Sequence, residues 1–359
     1  MTQDQSTNGL SVSVIIPCRN EAKHIAAFLD SVWKQTTSGM ELEILLADGM
    51  SDDGTREVLA DYQRRHCGRL LLIDNPGRIA STGLNAAIRA ASGDIVIRMD
   101  CHTEYAPDYV QRCVEVLQQT KADNVGGPAR TRAKGWMARA IAAAYHSPFS
   151  TGGAKFHDEN YEGYVDTVTY GCWWRTTLTR LGPFDETLVR NQDDEFNLRL
   201  IRSGGKIWQS SSIVSWYWPR GRLSALFRQY AQYGFWKVPI IRKYRVPAAW
   251  RHLVPGTFIL AMAALILVWL GSWEAGLKTL STLCAVLLAV GTLSYGLASV
   301  AASAMASSRS GWSLFPLMPL VFLVYHSSYG LGFLSGLLYW TLNSSAAGQT
   351  GRAFTEISR

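Results

Sequence analysis

The stretch DIVIRMDCHTEYAP, residues 94–107, runs an apolar strand straight into Asp100 and His102. A carboxylate and an imidazole two residues apart can hold a divalent cation. A solvated loop following a strand would look the same. Two further polar segments follow apolar runs: Pro17-Cys18-Arg19-Asn20-Glu21, and the stretch from Asp48 through Gly49, Ser51 and Asp53 to Thr55. The second reads equally well as a turn and helix cap, because Ser, Asp and Gly are ordinary turn residues. A fourth segment, NQDDEFNLRL, places Asp193, Asp194 and Glu195 at the start of a helix. Such acids complement the helix dipole, and one of them could take a proton as a general base.

The elements that position these groups are legible from hydrophobic periodicity. VSVIIP, LEILLAD, RLLLID and DIVIRMD read as strands, and three amphipathic segments between them read as helices, the first capped by Asn20. Nearly continuous apolar strands separated by helices predict a mostly parallel α/β sheet covered on both faces. In such a sheet, ligands bind beyond the carboxyl ends of the strands, where all the segments above except 191–200 begin. A G-x-G-x-x-G turn after the first strand is absent, which argues against a dinucleotide enzyme. In the acidic helix, Phe196, Leu198, Leu200 and Ile201 form the apolar face, and Gly204–Gly205 end it.

The chain has 359 residues and a net charge of +7. Residues 253–341 carry almost no charge, with apolar runs at about 254–271, 280–302 and 314–340; each is long enough to cross a bilayer. Pro316, Pro319 and His326 predict a kink or a re-entrant start in the third. Trp250, Trp269, Trp273, Trp312 and Trp340 fall near span ends, as in an aromatic belt. Arg220, Arg222, Arg228, Lys237, Arg242, Lys243, Arg245 and Arg251 precede the first span, which predicts contact with anionic headgroups and a cytoplasmic location for that side. No nucleic-acid motif is seen. The N-terminus is polar, without a signal-peptide pattern, and the six cysteines read as reduced thiols.

SVIIPCRNEAKHIAAFLDSVWKQ, ILLADGMSDDGT, NPGRIASTGLNAAIRAASGDIVIRMDCH, GCWWR and NQDDEFNLRL occur in order. Together they resemble the inverting family 2 glycosyltransferases of GT-A fold, over about residues 11–236, and within them the membrane-attached glucosyltransferases of bacterial exopolysaccharide (succinoglycan-type) synthesis. The resemblance implies a cytoplasmic GT-A domain over 1–219, an interfacial region over 220–252, about three transmembrane helices over 253–341 and a tail over 342–359, in the inner (plasma) membrane. It implies that Pro17, Arg19, Asn20 and Glu21 border the nucleotide, and that Asp48 binds the uracil ring. Gly49 and Ser51 would let the base approach closely, with Asp53 a weaker candidate. Arg78 would reach a phosphate, or else pair with a surface acid. Asp100 matches the first acid of the metal-binding D-x-D motif, and His102 replaces the second.

That replacement favours Mn2+ over Mg2+, since imidazole suits later first-row metals; alternatively His102 only orients Asp100. Asp193 matches the general base, with Asp194 as runner-up, and Gln192 replaces a usual glutamate. Trp173 and Trp174 would line the acceptor pocket or pack in the core. Gln229, Tyr233 and Trp236 stand near a Q-x-x-R-W signature of altered spacing, as acceptor or gating residues on an amphipathic helix. The implied reaction moves a hexose, glucose from UDP-glucose, onto a lipid-linked saccharide. Polyprenyl phosphate as acceptor, a processive synthase, and an inactive nucleotide-sugar-binding module are the alternatives.

Overall fold

The computed structural model describes residues 9–343, apart from 67 and 248. In chain order the elements are β1 (Ser11–Cys18), α1 (Ile25–Trp33), β2 (Glu41–Asp48), α2 (Thr55–Arg65), β3 (Leu70–Asp74), α3 (Ala80–Ala90), β4 (Ile95–Arg98), β5 (Thr103–Tyr105), α4 (Tyr109–Thr120) and β6 (Asn124–Gly127). Next come α5 (Trp136–Tyr145), α6 (Pro148–Thr151), β7 (Gly163–Tyr164), β8 (Thr169–Trp174), α7 (Arg175–Leu181), α8 (Gln192–Arg202), β9 (Ile207–Gln209) and β10 (Ser215–Tyr217). The chain continues with α9 (Leu223–Tyr244), α10 (Val254–Glu274), α11 (Lys278–Ser310) and α12 (Met318–Leu342).

Two compact units form. Among the described residues, one holds 9–131 together with 155–218, and the other holds 132–154 together with 219–343. The first unit is built on a mixed sheet of order β3-β2-β1-β4-β8-β6-β9-β7. β3, β2, β1 and β4 run parallel, as their apolar runs predict, and β8 enters antiparallel beside β4. Val14, Ile16, Ile44, Leu46 and Ile97 join one core layer, and Ile15, Leu45 and Val96 the opposite one. β1, β2 and β4 are therefore buried on both faces, which is why they read as continuous hydrophobicity rather than alternation; β3, at the sheet edge, leaves Leu71 exposed.

Some local expectations differ. Asn20 does not cap α1: it sits at φ 55°, and the backbone N–H groups of His24 and Ile25 donate to the Glu21 carbonyl instead (2.8 and 2.9 Å). Ile201 lies on the exposed face of α8, because Phe196 and Leu200, one turn apart, define the buried stripe. Gly204, at φ +82°, does end the helix, and the Gly205 N–H donates to the Leu200 carbonyl (2.9 Å). The five described cysteines are free and buried; Cys67, like most of the tail over 342–359, lies outside the described residues.

In the second unit, α10, α11 and α12 are long and apolar enough to cross a membrane. α11 is 33 residues long, about 50 Å of helix, so its ends, with Lys278 and Arg309, overreach a hydrocarbon core of about 30 Å. α12 is one continuous helix. Pro319 falls in its first turn, where a missing N–H breaks no helical bond, so no kink or re-entrant start occurs.

α12 packs extensively on α9 through small residues. A Cβ at Gly332 would lie 2.0 Å from the Ala231 carbonyl oxygen, and one at Gly234 2.1 Å from that of Tyr329. The two backbones approach this closely because neither position carries a side chain, as in small-xxx-small membrane packing. Gly332→Ala is therefore expected to destabilise this unit by about 1–3 kcal/mol, seen as a lower melting temperature in detergent. Gly271→Ala on α10, where a Cβ meets nothing within 4 Å, should leave it unchanged.

Candidate active site

The loops after β1 and β2 are laced into one piece at the carboxyl edge of the sheet. The Gly49 N–H donates to the Cys18 carbonyl (2.7 Å), and the Asn20 N–H to Ser51 Oγ (2.8 Å). Asn20 and Asp52 exchange two hydrogen bonds, 2.9 and 3.1 Å. The Glu21 N–H donates to Thr55 Oγ1 (2.8 Å). Asp53 accepts the Ala22 N–H on one oxygen and the Thr55 N–H on the other, 3.1 Å each. These bonds from Ala22 and Thr55 overcome desolvation and lower its pKa, so Asp53 fastens two loops together.

Asp48 is buried, accepts the Ser51 N–H (3.1 Å) and hydroxyl, and has Arg56 at 3.6 Å. Gly49 faces the Arg19 side chain so closely that a Cβ would touch it at 3.0 Å. Arg19 Nη1 donates to the carbonyl of Arg78 (3.2 Å), a residue held at φ 59° with its side chain exposed. The Pro17 carbonyl faces the Cys101 thiol (3.9 Å), which brings the β1 end against the segment after β4.

The centre of the site is Arg98, which periodicity did not single out. It is 5% exposed. Two residues apart on a strand share a face, so Arg98 and Asp100 meet. Nε donates to Asp100 Oδ1 (2.8 Å) and Nη2 to Oδ2 (2.9 Å). Nη1 lies 3.8 Å from Asp193 Oδ2 and makes no hydrogen bond. Burial opposes the guanidinium charge, but Asp100 and Asp193 more than offset it, and its pKa is raised. The Tyr170 ring lies 5.9 Å from the guanidinium, and its hydroxyl pairs with Thr103 Oγ1. The Asp100 N–H donates to the Tyr105 hydroxyl (2.7 Å).

One buried cation thus ties the acid after β4 to the first turn of α8, and Asp100 and Asp193 share one site. The available signal for Arg98 was a charge inside an otherwise apolar strand, two residues before an acid. Asp193 keeps about half of its side chain exposed, 48%, yet its carboxyl sits deep enough that desolvation raises its pKa; Arg98 opposes that rise and Asp194 adds to it. Glu195 is fully buried and pairs with Arg199 (3.0 Å), which makes it structural.

His102 does not orient Asp100, since Arg98 does that. Its Nδ1 lies 3.1 Å from Glu21 Oε1. Among the described residues, no three His, Cys, Asp or Glu side chains gather to hold a metal ion. The expected donors would be few: Asp100, whose two oxygens each already accept one bond from Arg98, and the remaining ring nitrogen of His102. That set fits a cation that takes its other ligands from phosphate and water.

Trp173 and Trp174 take the second of their two expected roles, packing in or against the core, and Trp236 is corrected as an acceptor or gating residue. Trp173 is 2% exposed and packs edge-on to Phe184 and Phe196 in the core. Trp174 pairs with Ile95, at the start of β4, so it lies at the end of the strand opposite Asp100. Trp236, on α9, is 1% exposed beside Phe235 and Trp340. Gln229 and Tyr233 belong to the second unit, joined by a 2.9 Å hydrogen bond.

Residues 13–175 match the model of the family described as "Glycosyl transferase family 2". The chain is 32% identical over 257 residues to the "Succinoglycan biosynthesis protein ExoA" of Rhizobium meliloti (strain 1021), covering 71% of this chain and 77% of that protein. It is 27% identical over 335 residues to a dolichyl N-acetyl-alpha-D-glucosaminyl phosphate 3-beta-D-2,3-diacetamido-2,3-dideoxy-beta-D-glucuronosyltransferase of Methanococcus voltae, covering 91% and 97%. Among solved structures, the mannosyltransferase PcManGT from Pyrobaculum calidifontis, in complex with GDP-Man and Mn2+, is 21% identical with a TM-score of 0.57, over 91% of this chain and 86% of that one. The strand order, the laced loops at its carboxyl edge and these likenesses agree on a GT-A fold, and the chain belongs to glycosyl transferase family 2.

Proposed function

We propose that this glycosyltransferase builds a lipid-linked or polysaccharide glycan by inverting transfer of a hexose, glucose from UDP-glucose, to a lipid-linked saccharide. The observation that carries the reading is the Arg98 bridge, which sets Asp100 and Asp193 at one site. Asp193 takes the proton of the acceptor hydroxyl as its oxygen forms the new bond to the anomeric carbon. The bond from that carbon to the diphosphate oxygen breaks on the opposite face, and UDP leaves with the electron pair. A divalent cation held by Asp100 and His102 would supply charge neutralisation for the departing diphosphate. Asp48 would receive the uracil, and Arg19 and Asn20 would border the nucleotide.

The lipid acceptor is supported by α10–α12 on the same chain and by the relative's role in succinoglycan biosynthesis. Trp250, Trp273 and Trp312 are exposed at helix ends, as at a membrane interface. Arg220, Arg222 and Arg251 near the Trp250 end, and Arg309 near the Trp312 end, support a cytoplasmic location for those two ends and for the transferase unit, at the inner membrane.

The test is a donor panel scored by nucleoside diphosphate release with Mn2+ and membrane lipid extract. UDP-glucose with a pyrophosphate-linked saccharide should turn over, and bare polyprenyl phosphate should not. Asp193→Asn should cut turnover roughly 10²–10⁴-fold while UDP affinity, by calorimetry, stays unchanged; full activity in that variant rejects the assigned base.

The raised pKa of Asp193 fixes a pH sign. The base must be ionised, so kcat falls as pH drops through a value above the ordinary Asp range of about 3.9. Arg98→Met removes the influence that holds this pKa down, so the acid limb should move to still higher pH in a kcat–pH profile.

A further inference from the structure

Glu21 is a buried carboxylate, 5% exposed, at the carboxyl edge of the sheet, where the family resemblance placed it beside the nucleotide. Its backbone is fixed at both ends: the N–H donates to Thr55 Oγ1 (2.8 Å), and the carbonyl accepts the first N–H groups ahead of α1. Its Oε1 lies 3.1 Å from Nδ1 of His102, a side chain that is itself 55% exposed. A carboxylate on one ring nitrogen fixes the tautomer and the ring plane, and leaves the other nitrogen's lone pair facing outward. Such pairs support metal-bound histidines, and losing the carboxylate typically costs 10–100-fold in metal affinity.

We propose that Glu21 is a positioning residue: it orients His102 so that Nε2 serves as the donor replacing the second acid of the D-x-D motif. The assignment rests on the donor-cation reading above. It explains why an imidazole suits this position. A carboxylate at 102 would have no proton to donate to the buried Glu21 carboxylate and would stand against it as an acceptor facing an acceptor.

The experiment uses the full chain in detergent, with MnCl2 and UDP as probes and Mn2+ EPR as readout, so no sugar transfer is required. Glu21→Gln should weaken Mn2+ binding in the presence of UDP by 10–100-fold. His102→Asp, although it restores D-x-D, should also bind more weakly than the native protein. The double variant Glu21→Gln/His102→Asp should recover at least tenfold over His102→Asp alone, a rescue that a merely structural glutamate would not give. Pulsed EPR on the unmutated protein should show one imidazole nitrogen coupled to manganese, which keeps the test open if a variant fails to fold. Unchanged affinity in Glu21→Gln, tight binding by His102→Asp alone, or no nitrogen coupling overturns the proposal. An unmutated protein that binds no Mn2+ with UDP overturns the donor-cation reading itself, and this assignment with it.

Discussion

A guanidinium buried between two carboxylates is the interaction on which the rest of the transferase unit depends. Taking such an ion out of water costs several kcal/mol, and only well-placed partners offset that cost. Arg98 meets the requirement with a bidentate fork on Asp100 and an ionic contact to Asp193. Removing one partner of a buried pair typically costs about 3–5 kcal/mol, so β4 and the first turn of α8 are held to each other. These segments are some ninety residues apart in sequence. What the bridge stabilises is the separation between the place where a diphosphate would leave and the place where a proton would be taken.

The fold was largely legible because its signal is local. Four strands, three of them buried on both faces, have nearly unbroken apolar runs, and the helices between them keep a 3.6-residue stripe. The antiparallel entry of β8 was not legible, since pairing direction leaves no mark in periodicity. The same holds for residues 132–154, which read as part of the first domain yet fold with the second unit. Their helix α5 is alanine-rich, with Ala140, Ile141 and Ala144 buried in the core that holds Leu314, Phe322 and Tyr325. A small apolar helix reads identically whichever core receives it.

The site was legible in part. Asp48, Asp100 and Asp193 stood out because acids at strand and helix ends carry positional meaning. Arg98 did not, because its partners are set by tertiary contact rather than spacing. The aromatic residues misled for a related reason. Trp173 and Trp236 can bury a large apolar surface or stack on a sugar, and sequence does not separate the two. Packing does: each ring is enclosed by other aromatic rings. Packing also qualifies the reading of α9. The glycines on α9 and α12 bring the two backbones into contact, and Lys237 is buried, while Arg228, Arg242 and Lys243 stay exposed.

Charge accounting links these features to the departure from the D-x-D pattern. Glu21, Asp100 and Asp193 already place three carboxylates around the ends of β1, β4 and α8, against one buried cation. Arg98 neutralises Asp100 most directly, at 2.8 and 2.9 Å, and reaches Asp193 only at 3.8 Å. Desolvation is the main cause of the raised pKa of Asp193; Arg98 opposes it, and Asp194 and Asp100 add to it. A further acid at position 102 would deepen the surplus of negative charge beside Glu21, whereas an imidazole adds no negative charge there. The histidine and the buried arginine are thus two answers to one electrostatic constraint. Carboxylates gathered this closely must be matched by fixed cations or replaced by groups that add no negative charge.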